Sequence, residues 1–457
     1  MFLFSIEQGS FLENSNQAVI TLLLKKDKDP SLCSSYRPIS LLNTDVKLLA
    51  KVLAKRLDPL MTKLVHPDQT GYVKSRLASD NTRRLLHVLD SAAIAQTPCA
   101  LLSVDAAQAF DRVEHHYLWT VLNQFGFGSK YINFVKTLYS LPSAMVLSGK
   151  LCSASFPVSR GSRQGCPFSP SLFVLSLEPL AQAIRQSPHL PILVHNTPHF
   201  ISLYCDDILL FLASILQVLL LLAVFDRFNL ISGFKINWSK SVLLPLNNID
   251  PFPPTDSATD KSSDPLANDP EPSSLQDLNI PVVEKIKYLG LEFFPSSSAS
   301  VKRNFDLARE RVEEDIGRWM LFQNSFQARL SIIKMNILPR INYVSSMLPL
   351  PPPNRYWASL HKVLSNFVWN GCRPRVKLET LQRRSAAGGW ALPNLEFYSW
   401  SFSLRALYSW FNEDSRVAWL PIEVAIVRPH RLQDLEFSNT PPNTRLVKFG
   451  PIISHLL

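Results

Sequence analysis

The chain has 457 residues, 46% hydrophobic and 18% charged, so most of it should be folded rather than disordered, with ample core for two or three domains. Its formal charge is +10; residues 247–279 hold seven acids against one Lys, so the remainder is a basic body suited to a polyanionic partner. The six cysteines form no C-x-x-C pair, which argues against zinc sites and a disulfide framework and fits a reducing, intracellular compartment.

In chain order, the first hundred residues read as basic loops and helices. Leu49, Leu53, Leu57, Leu60 and Leu64 mark one face of a helix over 45–64, with Lys47, Lys51 and Lys55 on another. Leu101 to Val104 read as a buried strand ending in Asp105. Helical periods cover 117–140, broken at Gly126 and Gly128, and resume after Pro170. Phe200 to Leu203 and Ile208 to Phe211 read as strands joined by the tight turn Tyr204-Cys205-Asp206-Asp207. The apolar run Ile208 to Phe225 imitates a membrane span, but its first residues are needed for the second strand, so a strand followed by a buried helix is expected. Residues 245–279, rich in Pro, Ser and Asp, read as a flexible insertion. Ile286 to Phe293 reads as a strand pair with a Gly kink, 301–345 as helical, and Pro349 to Pro353 as a rigid break.

Two adjacent acids between apolar strands are costly unless a cation neutralises them. Asp105, Asp206 and Asp207 on neighbouring strand ends could seat two Mg²⁺ ions about 4 Å apart, an arrangement that serves phosphoryl transfer. The segment Arg160 to Pro170 lies between the two acidic strands. Gly161 and Gly165 permit close backbone approach there, and Arg163 and Gln164 suit a triphosphate and a base pair.

The order Asp105-x4-Phe110-Asp111, then Arg163-Gln164-Gly165-x-Pro167, then Tyr204-x-Asp206-Asp207 resembles motifs A, B and C of reverse transcriptases. Ser35-Tyr36-Arg37-Pro38-Ile39-Ser40-Leu41-Leu42-Asn43 and Asp68-Gln69-Thr70-Gly71-Tyr72-Val73 resemble the fingers motifs of the LINE-type, non-long-terminal-repeat retrotransposon branch. So do Gly233-Phe234-Lys235-Ile236-Asn237 with Lys240-Ser241, Lys287-Tyr288-Leu289-Gly290, Phe367-Val368-Trp369 and Gly388-Gly389-Trp390.

The resemblance implies an α+β right-hand polymerase: N-terminally truncated fingers over 1–98, and a palm over 99–244 carrying motifs A to D with inserted fingers helices. The acidic insertion at 245–279, the primer-grip end of the palm at 280–296, a helical thumb at 297–348 and a C-terminal extension at 349–457 follow. It also implies RNA-directed DNA polymerase activity with an RNA template, a DNA primer, dNTPs and two Mg²⁺, in the nucleus and without a membrane. Asp105, Asp206 and Asp207 would be catalytic, with the Ala106 carbonyl a further metal ligand. Phe110 matches a steric gate against the ribose 2′-hydroxyl, a packed core ring being the other reading. Arg37, Arg163, Gln164 and Gly165 match groups around the incoming dNTP. Lys235 and Lys240 are rivals for a motif D proton donor. Tyr288, Leu289 and Gly290 match a primer grip, which a structural hairpin would also explain. Departures from the family are Cys205 for Ala, Phe168 for Leu, the long acidic insertion and the apolar 212–224. No upstream endonuclease and no C-terminal Cys-x2-Cys knuckle is seen, so target nicking is not assigned to this chain. An inactive retrotransposon-derived fragment or RNA-binding scaffold remains the alternative.

Overall fold

The computed structural model describes residues 7–11, 15–96, 99–187, 191–214, 217–247, 280–412, 417–435 and 450–456. Two sheets organise its first half. The palm sheet has the order β11 (Val242–Leu246), β3 (Cys99–Val104), β10 (Asp207–Leu212), β9 (Ile201–Tyr204), with every pair antiparallel. These strands read as unbroken apolar runs because both faces are covered. Ala100, Leu102, Val104, Ile208, Leu210 and Leu212 face one core, and the alternate residues Cys99, Leu101, Leu209 and Phe211 face another.

The first core is closed by α1 (Thr44–Leu64), α6 (Ser169–Arg185) and α7 (Gln217–Ser232). The second is closed by α2 (Ala78–Ala95) and by the thumb helices α8 (Ser297–Met320), α9 (Phe326–Ile332) and α10 (Leu338–Met347). A π turn, Ile333–Ile337, joins α9 to α10. The C-terminal helices are tied to α2 by Glu423, which is fully buried. It meets Arg83 (2.6 Å), His87 (2.7 Å) and the Trp410 indole (2.7 Å). Burial alone would raise that carboxyl; the Arg83 and His87 charges outweigh it and hold it down at about 2.

Several expectations change. The first hundred residues carry a sheet: β2 (Tyr36–Leu41) and β1 (Gln17–Leu24) pair antiparallel, and β1 lies parallel to β4 (Ser143–Ser148). A parallel partner more than a hundred residues away leaves no local turn signal. The buried stripe of α1 runs through Leu49, Leu53, Leu57 and Met61, with Leu60 exposed. Pro245 and Leu246 belong to β11, not to the insertion, of which residues 248–279 lie outside the described part. The apolar run after Asp207 divides into β10 and α7, and no helix among the described residues is long and apolar enough to cross a membrane.

Candidate active site

The register of the palm sheet brings the three acids together. Val104 pairs with Ile208, so Asp105, one step beyond, stands across from Asp207, one step before. Tyr204 pairs with Asp207 across a two-residue corner, Cys205-Asp206, in which Cys205 is buried and has φ +58°. Asp105, Asp206 and Asp207 are all exposed at this edge. Burial by the surrounding fold raises Asp206, and the charge of Asp105 adds to it. Burial and then the Asp206 and Asp105 charges push Asp207 up to about 6. Three hard carboxylates that repel one another fit a divalent cation. Among the described residues, no three His, Cys, Asp or Glu side chains already stand gathered as a metal cage.

Asp105 is held through its backbone. Its N–H donates to Ser241 Oγ (3.1 Å) and its carbonyl accepts from Asn237 N–H (2.8 Å). The Ala107 N–H donates to the Lys235 carbonyl (2.8 Å), closing a bridge of Ala106 with Ile236 in which neither bond uses the Ala106 carbonyl. Lys235 and Lys240, both exposed, therefore leave the same loop beside Asp105.

Phe110 lies half-buried, stacked on Phe173 with centroids 4.3 Å apart and rings 22° from parallel. Gln164 Nε2 donates to Asp111 (3.3 Å), and its carbonyl accepts from Ser40 N–H on β2 (2.8 Å). Burial raises Asp111, and that amide bond opposes the rise. Gly165 is required by close approach, since a Cβ there would lie 2.5 Å from the Ser40 carbonyl oxygen. Against the sheet of β1, β2 and β4 a cleft of about 300 Å³ is lined by Ile20, Pro38, Ser40, Asp111 and Gln164 among others.

Three expected contacts are arranged differently. Arg163 lines that cleft yet is only 8% exposed, and its Nη1 is bound to Asn16 Oδ1 (2.8 Å), which ties it down beside the cleft. Arg37 is exposed, but strand alternation puts it on the face of β2 opposite Pro38 and Ser40. The hairpin β12 (Ile286–Tyr288) and β13 (Leu291–Phe293) turns at Leu289-Gly290, and Tyr288 points inward. That ring is 2% exposed, with its hydroxyl 3.1 Å from both Asn81 Nδ2 and Ser202 Oγ, so Gly290 alone of the three expected grip residues is exposed.

Other residues at the site carried no assignment in the sequence. Gln69 lies beneath the Cys205 corner, and Ser241 and Asn237 hold Asp105. Tyr72 and Tyr343 of α10, both exposed, flank the acids. Burial raises both phenols, and the Asp206 and Asp207 charges respectively add to it. Gln69, Tyr72, Asn237 and Ser241 fell inside matched segments; Tyr343 had no signal.

The model of the family "Reverse transcriptase (RNA-dependent DNA polymerase)" matches residues 23–293, more than half of the chain. The chain belongs to that family. Among curated relatives, this reverse transcriptase is 29% identical to the Transposon TX1 uncharacterized 149 kDa protein of Xenopus laevis, over 80% of this chain and 27% of the relative. It is 27% identical to a Pol polyprotein from the type-1 retrotransposable element R2 of Popillia japonica, over 49% of this chain and 32% of that protein. The likeness is thus to the non-long-terminal-repeat, LINE-type branch, and the chain spans about a quarter to a third of these relatives' lengths. A solved telomerase from Candida tropicalis with a fragment of telomeric RNA overlays loosely, with TM-score 0.44 and 10% identity over 96% of this chain and 67% of that one. Members of the family generally use divalent metals.

Proposed function

We propose that this chain extends a DNA primer on an RNA template, taking dNTPs, as the polymerase of a LINE-type retrotransposon. The observation that carries the reading is the convergence of Asp105 with Asp206 and Asp207 at one edge of the palm sheet. Those carboxylates, with the Ala106 carbonyl, would hold two Mg²⁺; once bound, the pair supplies the nucleophile activation and charge neutralisation of in-line phosphoryl transfer.

The chain's own groups do the remaining work. Phe110, backed by Phe173, forms a stiff wall against a ribose 2′-hydroxyl. Gln164, its backbone carbonyl held by Ser40 N–H and its side-chain nitrogen donating to Asp111, offers an oriented amide to the nascent pair. Lys235 is the favoured proton donor to the departing pyrophosphate, because its carbonyl bond to Ala107 sets it alongside Asp105, whereas Lys240 sits further along the turn. Gly290, exposed at its turn, is the part of the second hairpin that would meet the primer. Arg37 and Arg163 are left out of the triphosphate site. Copying onto a chromosomal end would set the reaction in the nucleus.

Primer extension by the purified chain on an RNA template, with Mg²⁺ and dNTPs, tests this. Wild type should extend, and Asp206→Asn should not, with RNA binding retained. Equal incorporation by both would trace the signal to a contaminant. No incorporation by either would favour the scaffold alternative. In the same assay Phe110→Ala should admit rNTPs; unchanged discrimination would leave Phe110 a packing residue.

A further inference from the structure

The corner that carries Asp206 is secured by a residue outside the carboxylate set. Residues 68–70 run beside β9, where Leu203 N–H donates to the Asp68 carbonyl (2.9 Å) and Thr70 N–H to the Leu203 carbonyl (3.0 Å). This alignment puts the Gln69 side chain, 1% exposed, directly under the corner. Its Oε1 accepts from Cys205 N–H (2.9 Å) and from Gly71 N–H (2.9 Å). Cys205 stands at φ +58°, where residues with side chains are strained and a specific restraint is needed. Both groups facing Gln69 are donors, which dictates that its oxygen and not its nitrogen points at the corner. The segment is itself anchored: Arg76 Nη1 donates to the Gln69 carbonyl (2.8 Å), and Asp68 is paired with Arg84 and Arg185.

We propose that Gln69 is a positioning residue for the carboxylate corner. Its buried amide oxygen fixes the left-handed backbone of Cys205 and hence the direction in which Asp206 leaves it. Only the kinetic consequence rests on the polymerase reading above; the geometric one does not.

The test uses the full chain with Gln69→Ala and Gln69→Glu. Glu keeps an acceptor at the same reach, and Ala removes it. In amide hydrogen exchange without metal or nucleotide, Gln69→Ala should speed exchange at Cys205 about tenfold or more, with β3 and β10 unchanged, while Gln69→Glu keeps most of the protection. In primer extension, Gln69→Ala should lower kcat about 30- to 100-fold with dNTP KM and primer–template Kd within about threefold, and Gln69→Glu should recover much of the loss. Unchanged exchange at Cys205 in Gln69→Ala overturns the proposal. So does loss of protection spread evenly over β3 and β10, since that would make Gln69 a general packing residue. Were the exchange results as expected and wild type unable to polymerise, the polymerase reading would fail while Gln69 kept its place under the corner.

Discussion

Two tyrosine-flanked hairpins meet in this molecule, and they use their tyrosines in opposite ways. Tyr204-Cys205-Asp206-Asp207 and Tyr288-Leu289-Gly290-Leu291 are both two-residue corners closed by a strand pair, Tyr204 with Asp207 and Tyr288 with Leu291. In the first, the acids face outward and the restraint comes from a distant side chain, Gln69. In the second, the tyrosine is itself the restraint: Tyr288 is buried, bound to Asn81 and to Ser202 on β9, and Tyr343 of α10 donates to the Leu289 carbonyl. One hairpin presents carboxylates to solvent, and the other ties palm to thumb beside it. A short motif therefore locates a turn, while strand register decides which of its side chains reach solvent.

The contrast breaks most readily at Gly71. A Cβ there would lie 2.5 Å from the Cys205 nitrogen and 2.9 Å from the Tyr204 carbonyl carbon, both backbone atoms that cannot swing aside. Gly71→Ala should displace the acidic corner, lowering primer-extension kcat about 100-fold and stability by about 2 to 3 kcal/mol. Denaturant melts and single-turnover rates read both; near-normal turnover would mean that the corner adjusts freely. The second hairpin should answer differently. Tyr288→Phe removes the hydroxyl between Asn81 and Ser202 and should cost about 2 kcal/mol of stability, with kcat changed less than about threefold. A large kcat loss at unchanged stability would instead put Tyr288 in the chemistry.

The palm was legible in the sequence because its strands are buried on both faces and end in charge: Leu101 to Asp105 and Phe200 to Phe211 have no other economical arrangement. The helices over 44–64 and 169–185 followed from their apolar period and flanking prolines or charge. The fingers sheet was not legible, because β1 takes one of its partners, β4, from far along the chain in parallel. The inward turn of Arg163 was hidden for a similar reason. A cation next to Gln164 and Gly165 looks suited to phosphate, and only the fold reveals Asn16 waiting for it. Gln69 lay in a matched segment, but what its oxygen meets depends on residues 68–70 joining β9.

The smallest effect should appear on mild acidification, and it would sharpen the difference between the two hairpins. Asp68 anchors the Gln69 segment. Burial alone would raise its carboxyl, but the Arg84 guanidinium and then His66 hold it far below the usual range. A carboxyl depressed in the folded chain contributes stability that is present above the unfolded value, about 3.9, and is lost as pH falls below it. Between pH 4 and 3 the loss depends only on the unfolded value, because the folded one is lower still, and it amounts to about 1 kcal/mol, roughly fivefold in the opening equilibrium. Opening of the Gln69 segment frees Asp68, whereas opening of the Tyr288 hairpin alone does not. Amide exchange, corrected for its intrinsic pH dependence, should therefore lose more protection at 203–205 than at 286–291 over that interval, by at most about fivefold, because the raised Asp206 and Asp207 carboxyls of the same corner act in the opposite direction. Parallel losses at both hairpins would show that Asp68 supports the palm as a whole and not the acidic corner in particular.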